Sequence, residues 1–142
     1  MVRVREKLLG LCILVVEDEH LVARVLDELI KLYGGTVAGP AASEDEALAI
    51  LDRTAVDCAV LDVNLQGGPC FSLVEALMRR GIPVILATGC SASDIPGAFR
   101  HLPTLGKPTN LGELVERVAD CRRAVPNRRY PTRRRISAAA GL

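Results

Sequence analysis

Ile13-Leu14-Val15-Val16-Glu17-Asp18 decides the fold: four apolar residues in a row run straight into two acids. A continuous apolar run, without the alternation of a half-exposed strand, is the pattern of a strand buried in a parallel sheet. Two further runs repeat it, because Cys58-Ala59-Val60-Leu61 ends at Asp62 and Val84-Ile85-Leu86-Ala87 ends at Thr88. A weaker strand near 103–106 is followed by Lys107 and Pro108. In an open parallel sheet, ligands bind in the crevice beyond the carboxyl ends of the strands, so these polar groups can converge on one site.

Working outward, apolar runs alternate with amphipathic ones, the signature of β-α repeats. Strands are expected over 11–16, 36–39, 57–61, 82–87 and 103–106, and helices over 20–33, 43–53, 70–80 and 110–124. The first helix places Leu21, Val22, Val25, Leu26, Leu29 and Ile30 on one face and stops at Gly34-Gly35. The second opens with Ser43 three residues before Glu46, a capping-box spacing, and is expected to bury Ala47, Leu48 and Leu51. The third should bury Phe71, Val74, Leu77 and Met78 and end at Gly81, and the last Leu111, Leu114, Val115 and Val118. Between the fourth and fifth strands, Pro96 and Gly97 oppose a helix interior by roughly 3 and 1 kcal/mol, so a helix over 91–102 should be short or mobile.

The chain has 142 residues, 49% of them hydrophobic and 25% charged, which is enough for one ordinary core. Without an apolar run of about 18 residues or a secretory leader pattern, a soluble cytoplasmic protein with no membrane insertion is expected. The five cysteines are odd in number and form no C-x-x-C pair, and Cys12 and Cys58 sit inside strand runs as small hydrophobes. Neither a disulfide nor a zinc site is expected. The net charge of +1 conceals two unlike parts, since residues 122–142 carry seven arginines and no acid while residues 1–121 hold 11 basic and 17 acidic groups. The expected organisation is a folded domain over 8–124 and a basic, disordered tail over 125–142. The tail lacks interleaved aromatic residues and a scaffold to aim it, which argues against a nucleic-acid role and for a solubilising tail or one that folds back on the acidic body.

An acidic pair after the first strand, an aspartate after the third, a Thr after the fourth and Lys-Pro after the fifth together resemble the receiver domain of two-component response regulators. The residues are Glu17-Asp18, Asp62 in Leu61-Asp62-Val63-Asn64-Leu65, Thr88 in Ala87-Thr88-Gly89, and Lys107-Pro108, and the likeness covers roughly residues 10–121. Ala87-Thr88-Gly89 is also similar to an alphaproteobacterial single-domain subgroup whose fourth strand reads Phe-Ala-Thr-Gly, with Leu86 here in place of Phe and Cys90 following. The resemblance implies a flavodoxin-like, doubly wound α/β fold with a five-stranded parallel sheet in the order 2-1-3-4-5 and five helices. It also implies a phosphoacceptor signalling protein, capable of self-dephosphorylation and not otherwise an enzyme.

The chemistry of the residues agrees with that implication. Clustered carboxylates repel one another, and a divalent cation among them removes the cost. Magnesium takes about six oxygen ligands, several of them water. Asp18 and Asp62 would bind Mg2+ directly, Glu17 through water, and the backbone carbonyl of Asn64 would complete the protein ligands, as the family implies. Asp62 would be the nucleophile that becomes an acyl phosphate, with Thr88 donating to one phosphoryl oxygen and Lys107 neutralising another. The expected partners are a histidine kinase or a histidine phosphotransfer protein, and a homodimer is compatible with the sequence. The 21 residues after 121 are too few for a DNA-binding fold, which points to a stand-alone receiver. A phosphorylation-independent pseudo-receiver is the alternative. An unrelated aspartyl-phosphate hydrolase fits poorly, because Asp62-Val63-Asn64-Leu65-Gln66 lacks the second acid and the Thr of the Asp-x-Asp-x-Thr pattern.

Blander roles compete for several of these residues. Glu17 and Asp18 could serve the dipole of the first helix, and Asp62 could merely cap a turn. Asp57, at the far end of the third strand, is expected to be a solvated surface or cap residue. His20 and His101 have neither ligand nor general-base spacing. One departure from the family concerns signalling: many receivers carry an aromatic switch residue three positions before the lysine, where this chain has Thr104. The 91–102 segment is therefore expected to carry the signal by ordering or shifting.

Overall fold

The computed structural model describes residues 6–65, 68–89, 94–107 and 109–124. Five parallel strands form the sheet: β1 (Cys12–Val16), β2 (Thr36–Ala41), β3 (Cys58–Leu61), β6 (Val84–Thr88) and β7 (Thr104–Gly106), in the order β2-β1-β3-β6-β7. β4 (Asn64–Leu65) and β5 (Gly68–Pro69) make a separate antiparallel pair just after β3 that the sequence pattern did not suggest. With that pair set aside, the strand order is the expected 2-1-3-4-5. Helices α1 (His20–Leu32), α2 (Glu44–Arg53), α3 (Phe71–Arg79) and α4 (Leu111–Ala124) cover the two faces. Among the described residues of the expected 91–102 helix, a short 3-10 turn forms over Gly97–Phe99, where Pro96 and Gly97 oppose a regular helix interior.

β1, β3 and β6 are buried almost without exception, which is why their sequences read as unbroken apolar runs. Leu14, Val16, Ala59, Leu61 and Leu86 pack toward α2 and α3. Ile13, Val15, Val60, Ile85 and Ala87 pack toward α1 and α4. Gly34, at φ +92°, closes α1 in the left-handed conformation expected of a helix stop. The α2 capping box is present in a shifted form: Glu46 N donates to Ser43 Oγ at 3.2 Å, while the Glu46 carboxylate accepts from Ala42 N, not Ser43 N, at 2.7 Å.

The helix faces are rotated from those expected. In α1 the sheet covers Ala23, Leu26 and Ile30, whereas Leu21 and Val25 remain 76% and 47% exposed. The apolar arc of this helix is wider than the sheet beneath it, and the small Ala23 takes the contact position. Similarly, Ile50 joins Ala47 and Leu51 in the core in place of Leu48, and Leu73 replaces Met78 beside Val74 and Leu77. Phe71 is only partly buried, Leu111 is 41% exposed, and α4 buries Leu114, Val115, Val118 and Cys121.

Candidate functional site

Strand register assembles the site. Val16 lies beside Leu61 in the β1–β3 pairing, so Glu17 and Asp62 leave neighbouring strands together, and Asp62 N donates to Val16 O at 3.0 Å. Thr88 lies beside Gly106 in the β6–β7 pairing, so Lys107 leaves β7 next to the buried Thr88. Strands sit about 4.8 Å apart, and β6 separates β7 from β3, so only a long side chain on β7 can reach Asp62. Lys107 does so, donating from Nζ to Asp62 Oδ2 at 2.8 Å and to Glu17 Oε1 at 3.0 Å.

The remaining carboxylate oxygens are held by backbone amides. Glu17 Oε2 accepts from Glu19 N at 3.1 Å, and Asp62 Oδ1 accepts from Asn64 N at 2.9 Å. Glu17 and Asp18 precede α1 and are not first-turn acids, since its N-cap is Glu19 and its first turn contains no acid. Burial pushes the Glu17 carboxyl above the usual range, against the opposing effect of Lys107 and the Glu19 amide. For Lys107, burial acts to lower the pKa, but the hydrogen bonds and charges of Asp62 and Glu17 prevail and raise it.

Carboxylate oxygens of Glu17, Asp18 and Asp62 lie within 4.8 Å of one another. Two oxygens on opposite sides of one magnesium ion are about 4.2 Å apart. The spacing of the cluster therefore suits a small dication. The charges agree as well, because three carboxylates and one ammonium leave an excess of two negative charges, and every donor is a hard oxygen.

This convergence of strand-end acids on a lysine accompanies a sequence match to the response regulator receiver domain over residues 13–119. The chain belongs to that family. A solution structure of SdrG from Sphingomonas melonis Fr1 is 35% identical, covers 81% of this chain and 97% of its own, and superposes with a TM-score of 0.68. The BeF3-activated conformation of SdrG from Pseudomonas melonis Fr1 is 36% identical, with 79% and 95% covered and a TM-score of 0.67. The response regulator PhyR from Brucella abortus shares the fold at 23% identity and a TM-score of 0.72, with 87% of this chain covering 55% of PhyR. A comparison with curated proteins returned no match.

Within this receiver, Glu17, Asp18, Asp62 and Lys107 meet at one point, Thr88 ends the intervening strand, and the Asn64 amide rests on Asp62. Pro108 and Cys90 lie outside the described residues, as do residues 91–93 of the expected switch segment and the tail beyond 124. His20 sits on the rim, beside Glu17, Asp18 and Arg24. Thr104 is exposed and its hydroxyl donates to Leu102 O at 3.1 Å.

Three features escaped the sequence reading. Asp57 is buried, not solvated, and its Oδ2 accepts from Cys12 N at 2.8 Å. Cys70 donates from Sγ to Asp62 O at 3.5 Å, and burial, then the charges of Glu44 and Asp62, push its thiol up to about 12. Phe99 stacks on Phe71 with ring centroids 5.7 Å apart, joining the turn before β7 to the start of α3. The Asp57–Cys12 and Phe71–Phe99 contacts are long-range in sequence, and none of the three leaves a local pattern. No helix among the described residues is long and apolar enough to cross a membrane.

Proposed function

We propose that this receiver takes a phosphoryl group from a histidine kinase or histidine phosphotransfer protein onto Asp62 in a magnesium-dependent phosphorelay. The observation that carries the reading is the position of Asp62, buried at a strand end, fixed by the Asn64 amide through one oxygen and by Lys107 through the other. A magnesium ion held by Asp18, Asp62 and the Asn64 carbonyl, with Glu17 behind a water, would neutralise charge on the incoming phosphoryl oxygens. An Asp62 oxygen attacks phosphorus as the N–P bond of the donor breaks, and the electron pair of that bond leaves on the imidazole nitrogen. Lys107 then follows the new negative charge from the carboxylate to a phosphoryl oxygen, and the Thr88 hydroxyl donates to another. Cys70, held as a thiol, offers no competing nucleophile beside Asp62.

The BeF3-activated conformation recorded for SdrG supports this reading, because that relative is 36% identical over most of both chains. A groove of 330 Å³ lined by Leu21, Val22, Val25, Lys107, Thr109 and Leu111 opens beside the lysine and offers apolar contact area to a donor protein. The test is intact mass after incubation with acetyl phosphate and magnesium, repeated with a phosphorylated histidine protein. A phosphoryl adduct that disappears with EDTA is expected. No adduct from either donor, in a chain that still binds magnesium, would instead assign a pseudo-receiver.

A further inference from the structure

Cys58 opens β3 and Cys121 lies one turn before the end of α4. They are 63 residues apart in sequence, yet their sulfurs meet at 2.8 Å in the core between the sheet and α4. A disulfide bond is about 2.0 Å long, so less than an ångström of closure separates this contact from a covalent bond. The pair belongs to a buried apolar cluster that also contains Leu105, Val115 and Val118, and the Cys121 sulfur also lies 3.7 Å from Arg117 O. Accessibility is unequal, since Cys58 is fully buried whereas Cys121 keeps 5% exposure near a helix terminus, where local opening costs least.

We propose that Cys58 and Cys121 form a redox-labile modification site, oxidised by hydrogen peroxide to a disulfide that fastens α4 to the sheet. The Cys121 sulfur attacks one peroxide oxygen, the O–O bond breaks, and water leaves to give the sulfenic acid of Cys121. Cys58 then attacks that sulfur, the S–O bond breaks, and a second water departs with the remaining thiol proton. Two thiols lose two electrons in all, and one peroxide becomes two waters. The cross-link lies about 13 Å along β3 from Asp62, four residues away at the strand rise, so it leaves the acidic pocket intact.

The test uses the full chain, treated with hydrogen peroxide under native conditions, alkylated after denaturation, and digested without reductant. The expected product is a cross-link joining the peptides of Cys58 and Cys121, reversed by dithiothreitol and absent from Cys121→Ser. Because Cys121→Ser alters a buried position, the wild type carries a second readout. Its oxidised form should unfold about 5 °C or more above the reduced form, since the bond closes a long loop. Recovery of both residues as alkylated thiols, a dominant pairing with Cys12, Cys70 or Cys90, or an oxidised chain that unfolds no higher than the reduced one would each overturn the proposal.

Discussion

Two aspartates bracket β3, and they have opposite fates. Asp57 precedes the strand and is 6% exposed; Asp62 follows it and is 7% exposed. Residue type, burial and strand are thus shared, and the surroundings differ. Asp57 meets the first backbone amide of β1, a neutral donor that fixes one strand against the next. Asp62 meets the Lys107 ammonium beside two further carboxylates. The end of a parallel sheet where strands stop together can gather charges from several elements, whereas Asp57 at the other end is tied to its neighbour strand through the Cys12 main chain. Burial of an acid by itself therefore does not mark function; convergence of several strand ends does.

The largest expected effect falls on the Asp62 side. Asp62→Asn should abolish the phosphoryl adduct from acetyl phosphate while Asp57→Asn retains it, read by intact mass. An adduct retained in Asp62→Asn would erase the distinction between the two residues. Next, Lys107→Ala should destabilise the fold by about 3 kcal/mol at neutral pH, because it strips the buried Glu17 and Asp62 carboxylates of their cation. Glu17 already has a raised folded-state pKa, so its ionisation opposes folding, and the loss should shrink as pH falls through the carboxylate range. Denaturant melts of both proteins at neutral and acid pH measure this, and a deficit that grows on acidification would contradict it.

How far the sequence was legible follows the same divide. The carboxyl-end site could be read because Glu17, Asp62 and Thr88 each end an apolar run, with Asp18 next to Glu17 and Lys107 after the weaker last strand. Asp57 could not, since its partner is a main-chain amide 45 residues away with no side-chain signature. The strands were legible because β1, β3 and β6 are buried on both faces, whereas the orientation of α1 was not, because six apolar residues offered more surface than the sheet could cover. The Phe71–Phe99 stack was hidden for the same reason as Asp57, because it depends on where a distant segment returns; the β4–β5 pair is local, but two-residue strands are too short to show an apolar pattern.

Smaller effects sharpen the contrast. Asp57→Ala should cost about 1–3 kcal/mol by leaving the Cys12 amide without this acceptor, with magnesium binding unchanged; equilibrium unfolding and a magnesium titration separate the two. Weakened magnesium binding would tie Asp57 to the site after all. The smallest effect concerns Cys70. With its thiol pushed up to about 12 from 9.0, its thiolate fraction at pH 8 should be about 1,000-fold below that of an ordinary cysteine, so it should stay unalkylated by iodoacetamide in the native chain. Rapid native labelling of Cys70, located by peptide mapping, would show that the Asp62 end opens more readily than its packing implies.

The most direct test of the central claim is to locate the acyl phosphate itself. Borohydride reduction of the acetyl-phosphate-treated chain converts a phosphoaspartate to homoserine, and peptide mapping then identifies the residue. Homoserine at position 62, dependent on magnesium and absent at position 57, is the predicted result. Homoserine at 57, or at neither position in a chain shown to carry phosphate, would contradict the account.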